Sequence, residues 1–439
     1  MNKLKVAWLL LGSLMAFQTY GQKSENIALE EIIRQSVEAS KQLKTEQTNV
    51  EIAKSRYQSI KEARLPEVSA SGQIMYLPYA PNIVNKLSQP AAEGSTSSSQ
   101  GFPIPKTVSL GSINASMPLF TGFKLKNSIT QADLGVEMSQ IAVGMKTEQV
   151  ALQTIELYYA IYKTKATIQV LEENIGRAKQ RVTDYGNFVQ NGLMAENDLL
   201  KAKLMKSNLE INLEDAKNSY ENLLNRLNIY LNTKYTSLNP QLNNIQKPVS
   251  PDSFLERKDL SLLNKKIEQS AVNIELARAN YYPQVALTGG FINAYIPNLF
   301  TITNALNFGI GVKYNISSLY KNKSEMKTAN LQKFYSEQKL EEAKDQAQIE
   351  TLEAKRKYLL TLKKQEVYEE AFGQAKENLR IVNNKYENGL ADTDQVMDAE
   401  IQLLQSEINK KVGVADQEIA WYQWLQATGM LLENFKINQ

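Results

Sequence analysis

The chain has 439 residues, with 50 Lys and Arg against 47 Asp and Glu, and its mean hydropathy is −0.38. This average is too polar for a bundle of membrane-spanning helices, and the net charge of +3 gives no argument for a nucleic-acid partner. The absence of Cys and His excludes disulfides, thiolate metal sites, cysteine nucleophiles and the commonest general base. We therefore expect no enzyme: no catalytic residues, no cofactor and no metal site.

Residues 1–21 have the pattern of a secretory signal peptide. Lys3 and Lys5 precede a mostly apolar segment at 6–17, and small and polar residues follow it. The apolar segment is shorter than the roughly 20 residues that span a bilayer as a helix. We expect cleavage close to Gln22 and export of the remaining chain.

The remaining chain is predicted to be a unit that occurs twice, at 22–247 and 248–439. Each copy has a helix, two strands, a long helix and a return helix, in that order. In the first copy these elements are a helix from Ala28 to Arg64, strands at 67–77 and 107–118, a long helix ending at 190 and a return helix at 194–231. In the second copy they are a helix from Lys258 to Asn280, strands at 284–294 and 306–316, a long helix ending at 387 and a return helix at 391–426.

Local patterns carry these predictions. Proline ends the first helix of each copy, at Pro66 and Pro283, because it lacks an N–H donor and disfavours helix in the preceding residue. The strands alternate apolar residues with period two. The first long helix carries apolar residues at alternating spacings of three and four, with Glu148 as the one charged interruption, which predicts packing against other helices along its length. The longer first loop, from Pro78 to Lys106, accounts for the difference in length between the copies.

The strands have about the length that crosses a bilayer in a tilted barrel, but one chain supplies only four. Every strand edge must be paired in lipid, so four strands cannot close alone, and three copies would supply twelve. The predicted fold class is therefore mainly α with a membrane β-barrel, twelve-stranded in a trimer and continuous with a long helical tunnel. Three alternatives are an elongated coiled-coil envelope protein without a pore, a periplasmic adaptor and an enzyme.

Five short segments, in their order along the chain, resemble the TolC-like outer membrane efflux family, and the resemblance covers nearly the whole exported chain. They are the helix exits at Ala63–Pro66 and Ala277–Pro283, the strand exit MPLFTG at Met117–Gly122, and the two Asn-Gly-Leu turns. The second strand exit, at Asn315–Lys323, departs from the family pattern because it lacks Pro and Gly.

The resemblance implies a homotrimeric outer-membrane channel with a periplasmic extension, surrounded by outer-membrane lipid. Such a channel is a passive conduit for small molecules or proteins in a tripartite efflux or type I secretion system. Its partners would be a periplasmic adaptor and, through the adaptor, an inner-membrane transporter.

The resemblance also implies site residues at the helix-hairpin tips. Those carried over as adaptor contacts are Asn191, Gly192, Leu193, Asn388, Gly389 and Leu390. The family narrows its periplasmic aperture with acidic residues; of the two family positions, Gln395 departs and Asp398 is retained, with Asp394 one turn earlier on the same face. Asp394 and Asp398 are therefore the candidate acidic ring. The alternatives are turn residues chosen only for backbone conformation and a solvated acidic surface.

Overall fold

The computed structural model describes residues 24–25, 27–78, 106–242, 257–297 and 300–435. The predicted signal peptide, nearly all of the predicted first loop, and Pro248 and Pro251 of the predicted connector lie outside the described residues. The described part of the chain is mainly helical, as predicted. None of its helices combines the length and the apolar character that crossing a bilayer requires.

The described residues form eight helices and six strands. The helices are α1 (Leu29–Ala39), α2 (Lys41–Glu62), α3 (Lys124–Gln190), α4 (Glu196–Leu231), α5 (Lys258–Ala279), α6 (Ser318–Glu387), α7 (Thr393–Thr428) and α8 (Leu431–Asn434). The strands are β1 (Ser24–Glu25), β2 (Glu67–Tyr76), β3 (Thr107–Phe120), β4 (Ser237–Leu238), β5 (Gln284–Ile296) and β6 (Phe300–Lys313).

The chain divides into two compact units, and each takes segments from both sequence copies. The first, here called the helical unit, comprises Met1–Glu46, Ala142–Ser261 and Glu342–Gln439. The second, here called the sheet unit, comprises Gln47–Ile141 and Leu262–Glu341. The contacts that make each unit compact therefore join the two copies to each other.

The core of the helical unit is built on aromatic side chains. Tyr158, Tyr159 and Tyr422 are fully buried, and the rings of Tyr159 and Tyr422 stack with centroids 6.3 Å apart. The Tyr158 hydroxyl donates to the carbonyl of Ile27 at 3.1 Å and accepts from the N–H of Gln241 at 2.8 Å. Burying each large side chain contributes about 1.5–3 kcal/mol. These contacts therefore fix the start of α1 and the connector after α4 to α3.

The structure divides the first predicted helix into α1 and α2 at Ser40. Ser40 leaves the helical region, with φ −58° and ψ 115°. Its hydroxyl then accepts the N–H of Leu43 at 3.2 Å, which caps the start of α2. The single helix predicted from Ala28 to Arg64 is wrong at this residue because the Ser side chain competes with the helical hydrogen bonds.

A four-stranded antiparallel sheet lies in the sheet unit, in the order β2–β3–β5–β6. The edge strand predicted at 306–316 instead runs from Phe300 to Lys313. It begins earlier because a bulge beside Asn304, at φ +59°, lets the pairing with β5 continue past the irregularity. It ends earlier because Lys313 pairs with Gln284, the first residue of β5, so the next residues have no partner strand within the chain.

Candidate functional site

The first predicted contact turn joins α3 to α4 in the helical unit. Gly192 has φ +70°, in the left-handed region that glycine adopts without strain. The N–H of Leu193 donates to the carbonyl of Phe188 at 2.8 Å, the hydrogen bond that defines a Schellman helix end. The Asn191 side chain donates to the carbonyl of Asn187 at 2.7 Å and closes the last turn of α3.

The second predicted contact turn joins α6 to α7 and repeats this geometry. Gly389 has φ +69°, and the N–H of Leu390 donates to the carbonyl of Lys385 at 2.8 Å. The Asn388 side chain donates to the carbonyl of Asn384 at 2.7 Å. Backbone conformation thus explains Asn and Gly in both turns. It does not explain Leu, because the Schellman bond uses only the leucine N–H.

Both leucines point away from the packed part of the helical unit, and each is 76% exposed. A groove of about 860 Å³ lies between the two turns, and its lining includes Leu193, Met194, Gly389 and Ala391. The sequence predicted two separate contact turns. Their joint groove was missed because no local pattern indicates that the turns lie side by side.

The inner wall of this groove is held by a buried ion pair and two tyrosines. Arg181 of α3 and Glu400 of α7 form an ion pair with both side chains largely buried, and burial raises the pKa of the Glu400 carboxyl while Arg181 opposes that rise. Tyr185 is buried beside Tyr386, with ring centroids 6.3 Å apart. The groove therefore has an apolar and ionic wall, with the exposed Leu193 in its lining and Leu390 between the lining residues Gly389 and Ala391.

The two candidate ring residues, Asp394 and Asp398, differ in their partners. The Lys201 ammonium of α4 donates to both carboxylate oxygens of Asp394, at 2.7 and 2.8 Å, and this hydrogen bond raises the pKa of Lys201. Asp398 is exposed, and within the described residues no hydrogen bond or ion pair reaches its carboxylate. Of the two, Asp398 carries the uncompensated charge.

The start of the return helix also differs between the tips. Asp392 caps α7, its carboxylate accepting the N–H of Gln395 at 2.9 Å. Ala195 holds the equivalent position before α4 and offers no side-chain cap. The second tip is thus the more firmly fixed of the two.

The sheet has one apolar and one mainly polar face. The strand registers place on the apolar face Val68, Ile74, Tyr76, Ile113, Met117, Leu287, Phe291, Tyr295, Leu306, Phe308, Ile310 and Val312. The other face carries Ser69, Ser71, Gln73, Ser112, Asn114, Ser116, Thr288, Asn307 and Lys313, with Met75, Val108, Leu110, Ile292 and Ile302 as apolar exceptions. The apolar face is strongly exposed along β6, where Phe308 reaches 88% and Ile310 68%. Among the described residues nothing covers this face.

The MPLFTG motif forms the turn from β3 into α3, and the geometry of this turn explains its glycine. Gly122 has φ +64°, and a Cβ there would lie 2.7 Å from the Tyr282 Cβ and 2.8 Å from the carbonyl oxygen of Ala279. Phe123 contacts the rings of Phe120 and Tyr282 edge to face, at 5.4 and 5.5 Å. Only glycine fits this approach of α5 to the strand exit.

The second strand exit, which follows β6 and lacks Pro and Gly, is stabilised by side-chain hydrogen bonds instead. The hydroxyl of Ser318 donates to the carbonyl of Asn315 at 2.6 Å, and that of Ser317 donates to the Asn315 side chain at 2.8 Å.

The described residues contain no group of acidic, His or Cys side chains that could hold a metal ion.

Comparisons with known proteins agree with this geometry. Residues 250–429 match the family model described as outer membrane efflux protein, which confirms the resemblance inferred from the motifs. No curated protein matches the chain.

Solved structures share its fold at low sequence identity. A membrane protein from Pseudomonas aeruginosa is 14% identical, with a TM-score of 0.77, over 93% of this chain and 91% of that one. The outer membrane protein VceC from Vibrio cholerae is 15% identical, with a TM-score of 0.73, over 91% and 96%. The CmeC outer membrane channel of Campylobacter jejuni is 15% identical, with a TM-score of 0.75, over 95% and 91%.

Proposed function

We propose that this chain, whose residues 250–429 belong to the outer membrane efflux protein family, is one subunit of an outer-membrane channel. Three copies form a passive conduit of a tripartite efflux or type I secretion system, and small molecules or proteins pass through it from the periplasm to the exterior. The channel performs no chemistry, and its cargo is delivered by a partner transporter.

The two-faced sheet carries the proposal. Its strands have 10, 14, 13 and 14 residues, at or above the roughly 9–11 that a tilted strand needs to cross a bilayer. An apolar face and a polar face on the same strands suit lipid on one side and a water-filled lumen on the other. In water, the exposed apolar face would be an aggregation hazard along two open edges.

The open edges require further copies. β2 and β6 each pair on one side only, and unpaired backbone groups are too costly to leave in lipid. Three copies of four strands make the twelve-stranded barrel. The helical unit offers matching surfaces: Leu204 and Ile211 on α4 are exposed seven residues apart, as are Leu352 and Leu359 on α6. Such stripes are typical of helices that pack against neighbouring helices, here those of the next subunit in the tunnel wall.

The tip groove is the proposed docking surface for a periplasmic adaptor. The exposed Leu193 in its lining, and Leu390 between the lining residues Gly389 and Ala391, supply apolar anchors beside the largely buried Arg181–Glu400 pair. Preformed apolar grooves with a few fixed polar groups are typical binding surfaces. The adaptor contacts are Asn191, Gly192, Leu193, Asn388, Gly389 and Leu390, with the leucines providing most of the buried apolar area.

Asp398 forms the proposed acidic ring at the periplasmic aperture. Threefold symmetry brings three like carboxylates together, which favours cations and makes the closed ring easier to open. Asp394 contributes less charge because Lys201 neutralises it.

The proposal is tested by extracting the exported protein in mild detergent, measuring its mass and recording its conductance in a planar bilayer. Three chains per particle and discrete conductance steps are expected. A double variant, Leu193→Ser with Leu390→Ser, should keep both properties and lose only adaptor binding. A particle of one chain, 49.5 kDa or less, that stays dissolved in buffer without detergent would refute the channel.

A further inference from the structure

The internal duplication of the sheet determines how the open edges pair. Pro66 and Pro283, which precede β2 and β5, lie 217 positions apart. The tip glycines Gly192 and Gly389 lie 197 positions apart. The shift of 217 positions relates β2 of the first copy to β5 of the second. The shift of 197 positions relates β3 of the first copy to β6 of the second.

The strand registers obey both shifts. Val68 of β2 pairs with Ala115 of β3. The first shift carries Val68 to Val285 and the second carries Ala115 to Val312, and these two residues are themselves paired in the second hairpin. The two hairpins therefore have the same register, and each shift is fixed by landmarks outside the hairpins.

The joint between the hairpins is the pairing of β3 with β5. Within it Ser116 pairs with Thr288, and Ile113 with Phe291. If a ring of copies repeats this joint, β6 takes the place of β3, and β2 of the next copy takes the place of β5. Ser116 then becomes Lys313, and Thr288 becomes Ser71 of the neighbouring copy.

We propose that the edge strand β6 pairs antiparallel with β2 of a second copy of this chain, with Lys313 opposite Ser71. This inference rests on the proposed trimeric channel and names its subunit joint residue by residue. The same register places Ile310 opposite Ile74 and Phe308 opposite Tyr76.

The side chains of both edges support this register. Ile310, Phe308, Ile74 and Tyr76 all lie on the apolar face, so the joint continues that face from one copy to the next. Lys313 and Ser71 both lie on the polar face. A slip of one residue would put the apolar side chains of the two strands on opposite faces of the joint, which disfavours the alternative. Aromatic and β-branched pairs across strands add further stabilisation.

The register also accounts for the early end of β6. Residues 314–316 have no partner in their own chain, since β5 begins at Gln284. In the joint, Tyr314 lies opposite Ala70 of the neighbouring copy. The joint thus extends β6 by one residue, whereas Asn315 and Ile316 belong to the turn into α6.

Cysteine cross-linking tests the joint, and the chain contains no Cys that would interfere. Ser71→Cys with Lys313→Cys is the test variant, and mild oxidation is expected to convert it to covalent trimers on a non-reducing gel. Ser116→Cys with Thr288→Cys is the internal control: it occupies the equivalent positions within one chain, so it should lose its free thiols without any change in mass. Ser69→Cys with Lys313→Cys, displaced by two residues on the same face, should stay largely uncross-linked.

The outcomes separate the register from the channel. Trimeric particles whose displaced pair cross-links in preference to the test pair would overturn the register and leave the channel standing. So would trimeric particles in which the internal control is oxidised but the test pair keeps its thiols. Monomeric particles in detergent, with the internal control oxidised, would overturn both.

Discussion

The helical unit and the sheet treat the same kind of residue in opposite ways. Ile155 of α3 is fully buried among side chains of its own chain, whereas Ile310 of β6 is 68% exposed. The helical unit thus buries the apolar residues of its core within one chain, while the sheet holds a continuous apolar face that the described part of the chain leaves uncovered. The sheet, unlike the core of the helical unit, therefore presents its apolar side chains to the surroundings of the molecule.

Matched alanine substitutions give the largest expected difference. Ile155→Ala should lower the free energy of unfolding of the helical unit by about 2–5 kcal/mol, since a cavity adds to the lost burial. Ile310→Ala should leave the unfolding of that unit unchanged. Thermal unfolding followed by far-ultraviolet circular dichroism measures both. Equal losses in the two variants would show that the contrast is wrong.

A charge on either face of β6 tests the lipid assignment. Phe308→Lys places an ammonium on the apolar face and should cost about 2–4 kcal/mol of insertion near the bilayer centre. Asn307→Lys, on the next residue and the opposite face, should insert normally because lumen positions tolerate charge. The yield of heat-stable trimers in the outer-membrane fraction is the measurement. Comparable yields from both variants would mean that the apolar face does not meet lipid.

The order of elements was predictable because local chemistry marks their ends. Proline ends α2 and α5, and the Asn-Gly pairs end α3 and α6 through the left-handed conformation of Gly192 and Gly389. The division at Ser40 was missed, since one Ser within a strongly helical pattern does not reveal whether its hydroxyl will cap a new helix.

Long-range contacts account for what the sequence did not predict at the site. Lys201 and Asp394 are 193 positions apart, whereas the shift of 197 positions between the tip glycines places Lys201 at the position of Asp398. The early start of β6 depends on a bulge at Asn304 whose partner lies on another strand. Periodicity shows which residues share a face, but it does not show which face meets which.

The pH dependence of stability gives a test of the helical unit, through the buried carboxyl of Glu148. It interrupts the apolar pattern of α3, lies 3.7 Å from the ammonium of Lys258, and has its pKa raised to about 7 by burial. Because this folded-state pKa exceeds the unfolded value, its contribution to stability is complete below about pH 4.5 and is lost as pH rises to about 7.

Glu148→Gln should remove that part of the pH dependence. At pH 8 the variant should melt a few degrees above the parent, and near pH 4 the two should melt alike. Glu137→Gln is a suitable control, because that carboxylate is half exposed and pairs with Lys265 at 2.8 Å. A parent and Glu148→Gln variant with parallel melting curves against pH would mean that Glu148 is hydrated.

The smallest expected effect separates the two tips. Asp392→Ala removes the N-terminal side-chain cap that α7 has and α4 lacks, and should destabilise the start of α7 by about 1 kcal/mol. Ala195→Asp should stabilise the start of α4 by a similar amount, since the turns before both helices share one backbone geometry. Amide hydrogen exchange in the first turn of each helix measures the change directly.

If the second tip is the fixed side of the groove and the first the adaptable one, Ala195→Asp should also slow adaptor association while Asp392→Ala leaves it unchanged. An uncapped α7 that exchanges no faster than the parent would show that the Arg181–Glu400 pair, rather than the cap, holds the second tip in place.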